Sequence, residues 1–286
     1  MNKWKCKGNL QMTLDGDFNV PDAKPDINDL IKEQAHIVLD EVKRLDGKVN
    51  IRGKLFFSLL YLAMDDSCPM HDFSGSIPFD ETVNMNDVDS DDDVHVMWDI
   101  DDLRGSIINS RKLNVKAIVS FTLSAERLYD EEVSVGIEND GNVHTKTKVV
   151  PITQLALNKK DTFRIKEEKT IPNGKPDVRT LLYNQISLRG VETRLLEEQI
   201  FLKGSLVITV LYIGDNEDQS LEYYQTEIPF SGNIDCSGID ESMYPDINVR
   251  VSSKNLMSKA GEDGEERLID LEVVLEIGIK VYRDEE

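Results

Sequence analysis

Residues 80–102 carry ten Asp and Glu side chains and no Lys or Arg. Within them Asp87, Asp89, Asp91, Asp92 and Asp93 space their carboxylates as a calcium-binding loop does. The match is incomplete. A calcium loop needs glycine at its sixth position and a bidentate glutamate at its twelfth, where this chain has Asp92 and Trp98. A solvated acidic loop is the reading, with an adventitious calcium site as the alternative. The four histidines (His36, His71, His95 and His144) stand far apart, with no His-x-x-x-His pair. Cys6, Cys68 and Cys236 are odd in number and contain no C-x-x-C, so neither a zinc site nor a disulfide framework is indicated. No Gly-x-Ser-x-Gly elbow or phosphate-cradling glycine loop is present. Trp98, Tyr61, Tyr212 and the Tyr223-Tyr224 pair could stack sugars, but at strand spacing core or rim packing is the commoner fate of aromatics. These residues point away from an enzyme, a cofactor and a metal.

Composition narrows the remaining classes. The chain has 286 residues and a net charge of −21. That charge is spread evenly, with 28 acids against 17 bases in residues 1–150 and 26 against 16 in residues 151–286. Such a field repels nucleic acid and anionic lipid, and no basic stripe with interleaved aromatics appears. No apolar run approaches the length of a membrane span, and Gly8 to Asp17 supplies no apolar core for a secretory signal. The expectation is a cytoplasmic protein with reduced thiols and with protein partners, its oligomeric state open.

What must position any site is a duplication. Val20-Pro21, Lys24-Pro25-Asp26-Ile27, Leu30-Ile31, Gln34, Gly53, Leu55, Leu60-Tyr61 and Ile77-Pro78-Phe79 recur 151 residues later. The second set is Ile171-Pro172, Lys175-Pro176-Asp177-Val178, Leu181-Leu182, Gln185, Gly204, Leu206, Leu211-Tyr212 and Ile228-Pro229-Phe230. A self-match at constant offset means two copies of one structural unit. Residues 1–132 form the first unit, 133–150 a linker or hairpin around Asn139-Asp140-Gly141-Asn142, and 151–286 the second.

Inside each unit the apolar period is two. Val49, Ile51, Gly53, Leu55, Phe57, Leu59 and Tyr61 alternate with mostly polar residues, and Ile200 to Tyr212 keep that phase. This predicts a long half-buried strand, with Gly53 and Gly204 marking a bulge or bend. Residues 31–45 have helical spacing, but their second copy carries Arg189, Gly190 and Thr193, so a strand is predicted there too. Pro78 and Pro229 place the Ile-Pro-Phe return on an edge strand. The last strand, Leu113 to Leu123, repeats at Ile269 to Ile279, an offset of 156. A candidate strand near Leu10 to Leu14 ends in a predicted Asp15-Gly16-Asp17 turn. Pro25 and Pro176 hold the preceding residue extended, after which Asp26 or Asp177 is expected to cap a short helical turn reaching Leu30 or Leu181. Polar turns are expected at 65–67 and 215–217. Each unit finishes on Asp-Glu-Glu, at 130–132 and 284–286, which suggests a longer protein cut at a module boundary.

Lys-Pro-Asp-[Ile/Val], the Gly-x-Leu to Leu-Tyr strand and the Ile-Pro-Phe return, each present twice in order, resemble the SPOCS domain of the SipL-type proteins of endospore-forming bacteria. The resemblance implies a tandem SPOCS portion without the C-terminal LysM module common in that family. It also implies a role in spore coat assembly beside a coat morphogenetic ATPase, on the mother-cell side of the forespore. The family defines no catalytic residues. The combined expectation is an all-β protein of two similar sandwich-like domains, each with a short helical turn, acting as a non-catalytic scaffold. A glycan- or cell-wall-binding module is the first alternative and an uncharacterised hydrolase the second.

Overall fold

The computed structural model describes residues 2–285, apart from 65–68, 130–131, 133, 135–137, 139–145, 147 and 262–263. The Asn139–Asn142 turn and the first copy of the polar turn lie outside the described residues. The described chain contains twelve β-strands and no helix.

Six strands build each unit. In the first, β1 (Asn2–Asn19), β2 (Ile27–Leu45), β3 (Lys48–Ala63), β4 (Met70–Asn84), β5 (Asp93–Asn109) and β6 (Lys112–Leu128) form two three-stranded antiparallel sheets, β2-β3-β4 and β1-β6-β5. In the second, β7 (Ile152–Thr170), β8 (Val178–Leu196), β9 (Gln199–Gly214), β10 (Leu221–Asp235), β11 (Tyr244–Lys259) and β12 (Leu268–Glu285) repeat the plan as β10-β9-β8 and β11-β12-β7. The middle strands supply most of the core. Val49, Ile51, Leu55, Phe57, Leu59 and Tyr61 of β3 are buried, as are Leu113, Val115, Ala117, Val119, Phe121 and Leu123 of β6. Each large aliphatic among them contributes roughly 1.5–3 kcal/mol by leaving water. The second unit repeats this core from Ile200 to Tyr212 and from Ile269 to Val281.

The expected helical turn is absent. A tight turn closes instead between Lys24 N–H and Pro21 O (2.9 Å), and between Lys175 N–H and Pro172 O (2.9 Å). Strand follows at once, because Ile27 N–H donates to Ser110 O (2.8 Å) and Val178 N–H to Glu266 O (2.8 Å). The first amide that such a helix would leave open, at Ile27 or Val178, is already held by the β5–β6 or β11–β12 connection. Leu30-Ile31 and Leu181-Leu182 therefore lie in β2 and β8, at a bulge that skips Ile31 and Leu182.

Asp15-Gly16-Asp17 is not a turn either. It continues β1, opposite Lys116, Val115 and Asn114. Its carboxylates meet cross-strand donors, with Lys112 Nζ 2.7 Å from Asp17 and Asn114 Nδ2 donating to Asp15 at 2.6 Å. The Asp215-Asn216-Glu217 stretch does turn.

Gly53 marks no bulge in its own strand. The β3–β4 register runs unbroken through it, and the bulge sits on the partner β2 between Leu39 and Glu41. Its role is clearance. A Cβ there would lie 2.4 Å from Val38 O and 2.8 Å from the Phe79 ring, which covers it from β4. Gly204 lies under Phe230 in the same way. Pro78 and Pro229 are on edge strands, β4 and β10, where the missing N–H disrupts no ladder.

The units touch each other. Leu60 of β3 packs with Leu182 and Ile213, Lys280 Nζ lies 2.5 Å from Glu126, and the Lys32 ammonium sits over the Tyr183 ring.

Candidate functional site

The residues shared by both units converge on one place, the corner where the chain passes from one sheet to the other. Tyr61 and Tyr212 come from the ends of the central strands, are 0% exposed, and donate their hydroxyls to Pro25 O and Pro176 O, each at 3.1 Å. A buried phenol needs such an acceptor. Lys24 reaches Asp72 Oδ1 at 2.6 Å, and Lys175 reaches Glu222 Oε2 at 2.9 Å.

An arginine that the repeat comparison passed over completes each corner. Arg111 donates to Lys24 O (2.6 Å), Val20 O (3.1 Å), Pro21 O (2.9 Å) and Asp26 Oδ1 (3.0 Å). Arg267 donates to Lys175 O (2.8 Å) and Ile171 O (3.3 Å) and pairs with Asp177. The signal was available: Arg111 and Arg267 stand 156 apart, the offset of the strand each one precedes.

The electrostatics of the corner are those of a closed network. Hydrogen bonds from Ser110 and Arg111 hold the Asp26 carboxyl below its usual range, and Lys175 does the same to Glu222. Burial, with Glu222 nearby, pushes the Tyr212 hydroxyl up to about 12. The recurring polar groups of each corner are thus turned onto the chain itself. Gly53, Phe79, Gly204 and Phe230 belong to the packing behind it, and Pro78 and Pro229 to the neighbouring edge.

The acidic window is organised by cations that its own sequence lacks. Lys5 Nζ donates to Asp89 at 2.8 Å and to Asp92 at 2.7 Å, while Arg127 Nη1 donates to Asp89 at 2.8 Å. Arg44 donates to Asp92 O, and Asp89 N–H to the Asp92 carboxylate. Asp92 is 0% exposed, so the loop is not uniformly solvated. The ammonium of Lys5 stands between the two carboxylates a calcium ion would use, and its hydrogen bond lowers the Asp89 pKa. Among the described residues no group of three His, Cys, Asp or Glu side chains could hold a metal ion.

The other candidates disperse. His36 lies on β2, three residues beyond Glu33. Glu33 accepts from Gly105 N–H (2.9 Å), while His36 stacks on Phe56. His95 pairs with Asp93 at 3.3 Å and, as the largest cause, holds that carboxyl well below the usual range. His144 lies outside the described residues. Burial pushes the Cys6 and Cys236 thiols up, away from a reactive thiolate. Of the aromatics, Tyr61 and Tyr212 have no surface to offer a sugar, and the Trp98 ring is covered by Arg250 of the second unit. A cleft of about 480 Å³ opens between the units, with the Glu126–Lys280 and Asp93–His95 pairs on its walls.

The SipL, SPOCS domain family matches residues 26–108 and 177–258, more than half of the chain and one segment per unit. The chain belongs to the SPOCS-domain family. No curated protein and no solved structure matches it. The family ties the chain to sporulation and is not known as a family of enzymes. The matched segments span β2–β5 and β8–β11. Each SPOCS unit is closed by strands outside the match, β1 and β6 or β7 and β12, and the corner arginine also lies outside it. Among the described residues no helix is long and apolar enough to cross a membrane.

Proposed function

We propose that the chain is a non-catalytic assembly module of spore coat or envelope formation, acting through protein partners among the coat morphogenetic proteins. One observation carries this reading. The polar side chains that recur in both units, Lys24, Asp26, Tyr61 and Arg111 with their counterparts Lys175, Asp177, Tyr212 and Arg267, are bonded within their own unit. Residues kept for chemistry would present free donors or a nucleophile–base pair to a cleft. These brace a corner, which suits a rigid unit that offers its outer faces to other proteins. The resident compartment in this reading is the mother-cell cytoplasm around the forespore.

The test is to tag the chain in sporulating cells and identify what co-purifies, alongside coat localisation in a strain lacking the gene. Co-purified coat proteins and a mislocalised coat are the expected results. Normal coat localisation in the deletion strain would sink the proposal. Peptidoglycan pull-down without any coat protein would replace it with the cell-wall-binding reading.

A further inference from the structure

One surface of the first unit keeps its polar side chains unspent. Across the outer face of β2-β3-β4 the register sets Gln34 beside Ser58 and Ser58 beside Ser74. The next row sets His36 beside Phe56 and Phe56 beside Ser76. The His36 and Phe56 rings stack, with centroids 5.4 Å apart and planes 16° apart. The second unit lines the other side. Leu182 packs on Leu60 at one end, and Asn184, Lys254 and Asn255 face the rows from β8 and β11, leaving a groove of about 570 Å³. Volumes of roughly 300–1,000 Å³ suit small ligands.

Two observations point to what the groove takes. Gln34, Ser58, Ser74, Ser76, Asn184 and Asn255 make no side-chain hydrogen bond among the described residues, though each can both donate and accept. Lys254 is half-buried on the same groove and, in a chain with 54 acidic residues, has neither an ion pair nor a hydrogen bond among the described residues. The one acid lining the groove, Asp72, is held by Lys24 at 2.6 Å. Burial pushes the Lys254 pKa down, and burial, followed by the Lys254 charge, lowers that of His36. An unpaired cation in such a place is costly, and an incoming anion relieves it.

The same face of the second unit is spent. Ser187, Val207 and Glu227 stand where the first has His36, Phe56 and Ser76, and Glu227 pairs with Arg189. Gln185 and Gln225 accept from the Tyr183 and Tyr223 hydroxyls.

We propose that the groove binds an acidic glycan, a sugar chain bearing carboxylates. The class follows from the walls. The floor is a sheet face whose backbone groups are paired strand to strand, so a peptide finds no ladder there to join. The groove offers neutral hydroxyls and amides, which match sugar hydroxyls as donors and as acceptors. The His36–Phe56 pair presents a flat surface to the C–H face of a sugar ring, and Lys254 pairs the carboxylate. The net charge of −21 repels a dense polyanion, which favours a glycan whose carboxylates are spaced apart. This site is additional to the assembly role and does not rest on it.

The test puts the full purified chain on an array of oligosaccharides, each neutral sugar beside its carboxylated form (hexose with hexuronic acid, N-acetylglucosamine with N-acetylmuramic acid). A glutamate hexapeptide is included, and the strongest binder is titrated by calorimetry. Carboxylated sugars should bind above their neutral counterparts. Lys254→Gln should weaken that binding about tenfold or more and leave the neutral form unchanged. His36→Ala should weaken both forms about threefold. Lys166→Gln, the same change of charge at an exposed position on β7, should have no effect. Unchanged unfolding midpoints establish that the variants fold. No sugar bound, equal binding of neutral and carboxylated forms, or an equal loss in Lys166→Gln would each overturn the proposal. Binding of the glutamate peptide without any sugar would also overturn it, and would give the groove to an acidic protein segment. Each of these results leaves the coat-assembly reading to be decided by co-purification in cells, and absence of coat partners leaves the glycan site standing.

Discussion

The two units share a corner and a core, yet they differ in how tightly the partner strand closes on the central glycine. Opposite Gly53 the β2 bulge holds one extra residue, and Val38 O comes within 2.4 Å of a Cβ built there. Opposite Gly204 the β8 bulge also adds one residue, but Gly190 there takes φ +58 and the corresponding Arg189 O stands off at 3.4 Å. A left-handed residue suits glycine, and it lets β8 swing wider. The lesson is that one sequence signature tolerates different slack behind it. What both copies keep is the aromatic ring laid over the glycine and the corner that pins the chain.

The largest expected effect comes from cutting a unit at the family match. Residues 26–108 without β1 and β6 lose nine of the 25 buried core residues, including Leu113, Val115, Val119, Phe121 and Leu123. At roughly 1.5–3 kcal/mol per side chain this rivals the whole stability of a domain. The fragment should show no cooperative unfolding by circular dichroism, whereas the equivalence of the units requires 177–258 to fail in the same way. A folded 26–108 fragment would break the comparison at its base.

Glycine substitution sharpens it. Gly53→Val should cost about 3 kcal/mol or more in urea unfolding, since backbone and ring both resist the new side chain. Gly204→Val, where Arg189 O stands off at 3.4 Å and only the Phe230 ring is in close contact, should cost about 1–2 kcal/mol. Equal costs would mean that the difference in bulges has no energetic consequence.

Removal of the corner arginine comes next. Arg267 is less exposed than Arg111, 15% against 34% at the side chain. Arg267→Ala should therefore cost about 2–3 kcal/mol and Arg111→Ala about 1–2, read as shifts in the denaturation midpoint.

The smallest effect is one of pH. The folded Tyr212 pKa lies near 12 and the unfolded value near 10. Because the folded value is the higher, the stability linked to this hydroxyl is complete below about pH 10 and lost as pH rises toward 12. Alkaline unfolding should show this loss, and Tyr212→Phe should remove its Tyr212 component.

Much of this was legible from alternation alone: β3, β6, β9 and β12 have inner faces that read as strict period two. The corner was misread because Pro and Asp are local helix-start signals, whereas the acceptors for Ile27 and Val178 lie over eighty residues away in sequence, at Ser110 and Glu266. Local propensity cannot see such partners. Lys5 and Arg127 escaped notice for the same reason, since they reach the acidic loop from the ends of β1 and β6. The contact between units did leave a trace. Leu59-Leu60-Tyr61-Leu62 breaks the alternation, as strands apolar on both faces do.

Amide hydrogen exchange at Ile27 and Val178 tests most directly whether the recurring residues brace the fold. Their N–H groups should exchange slowly and to a similar degree, each held by the carbonyl across the corner. Exchange at the rate of an open loop at either position would mean that the motif is free to bind a ligand, and the structural account would be wrong.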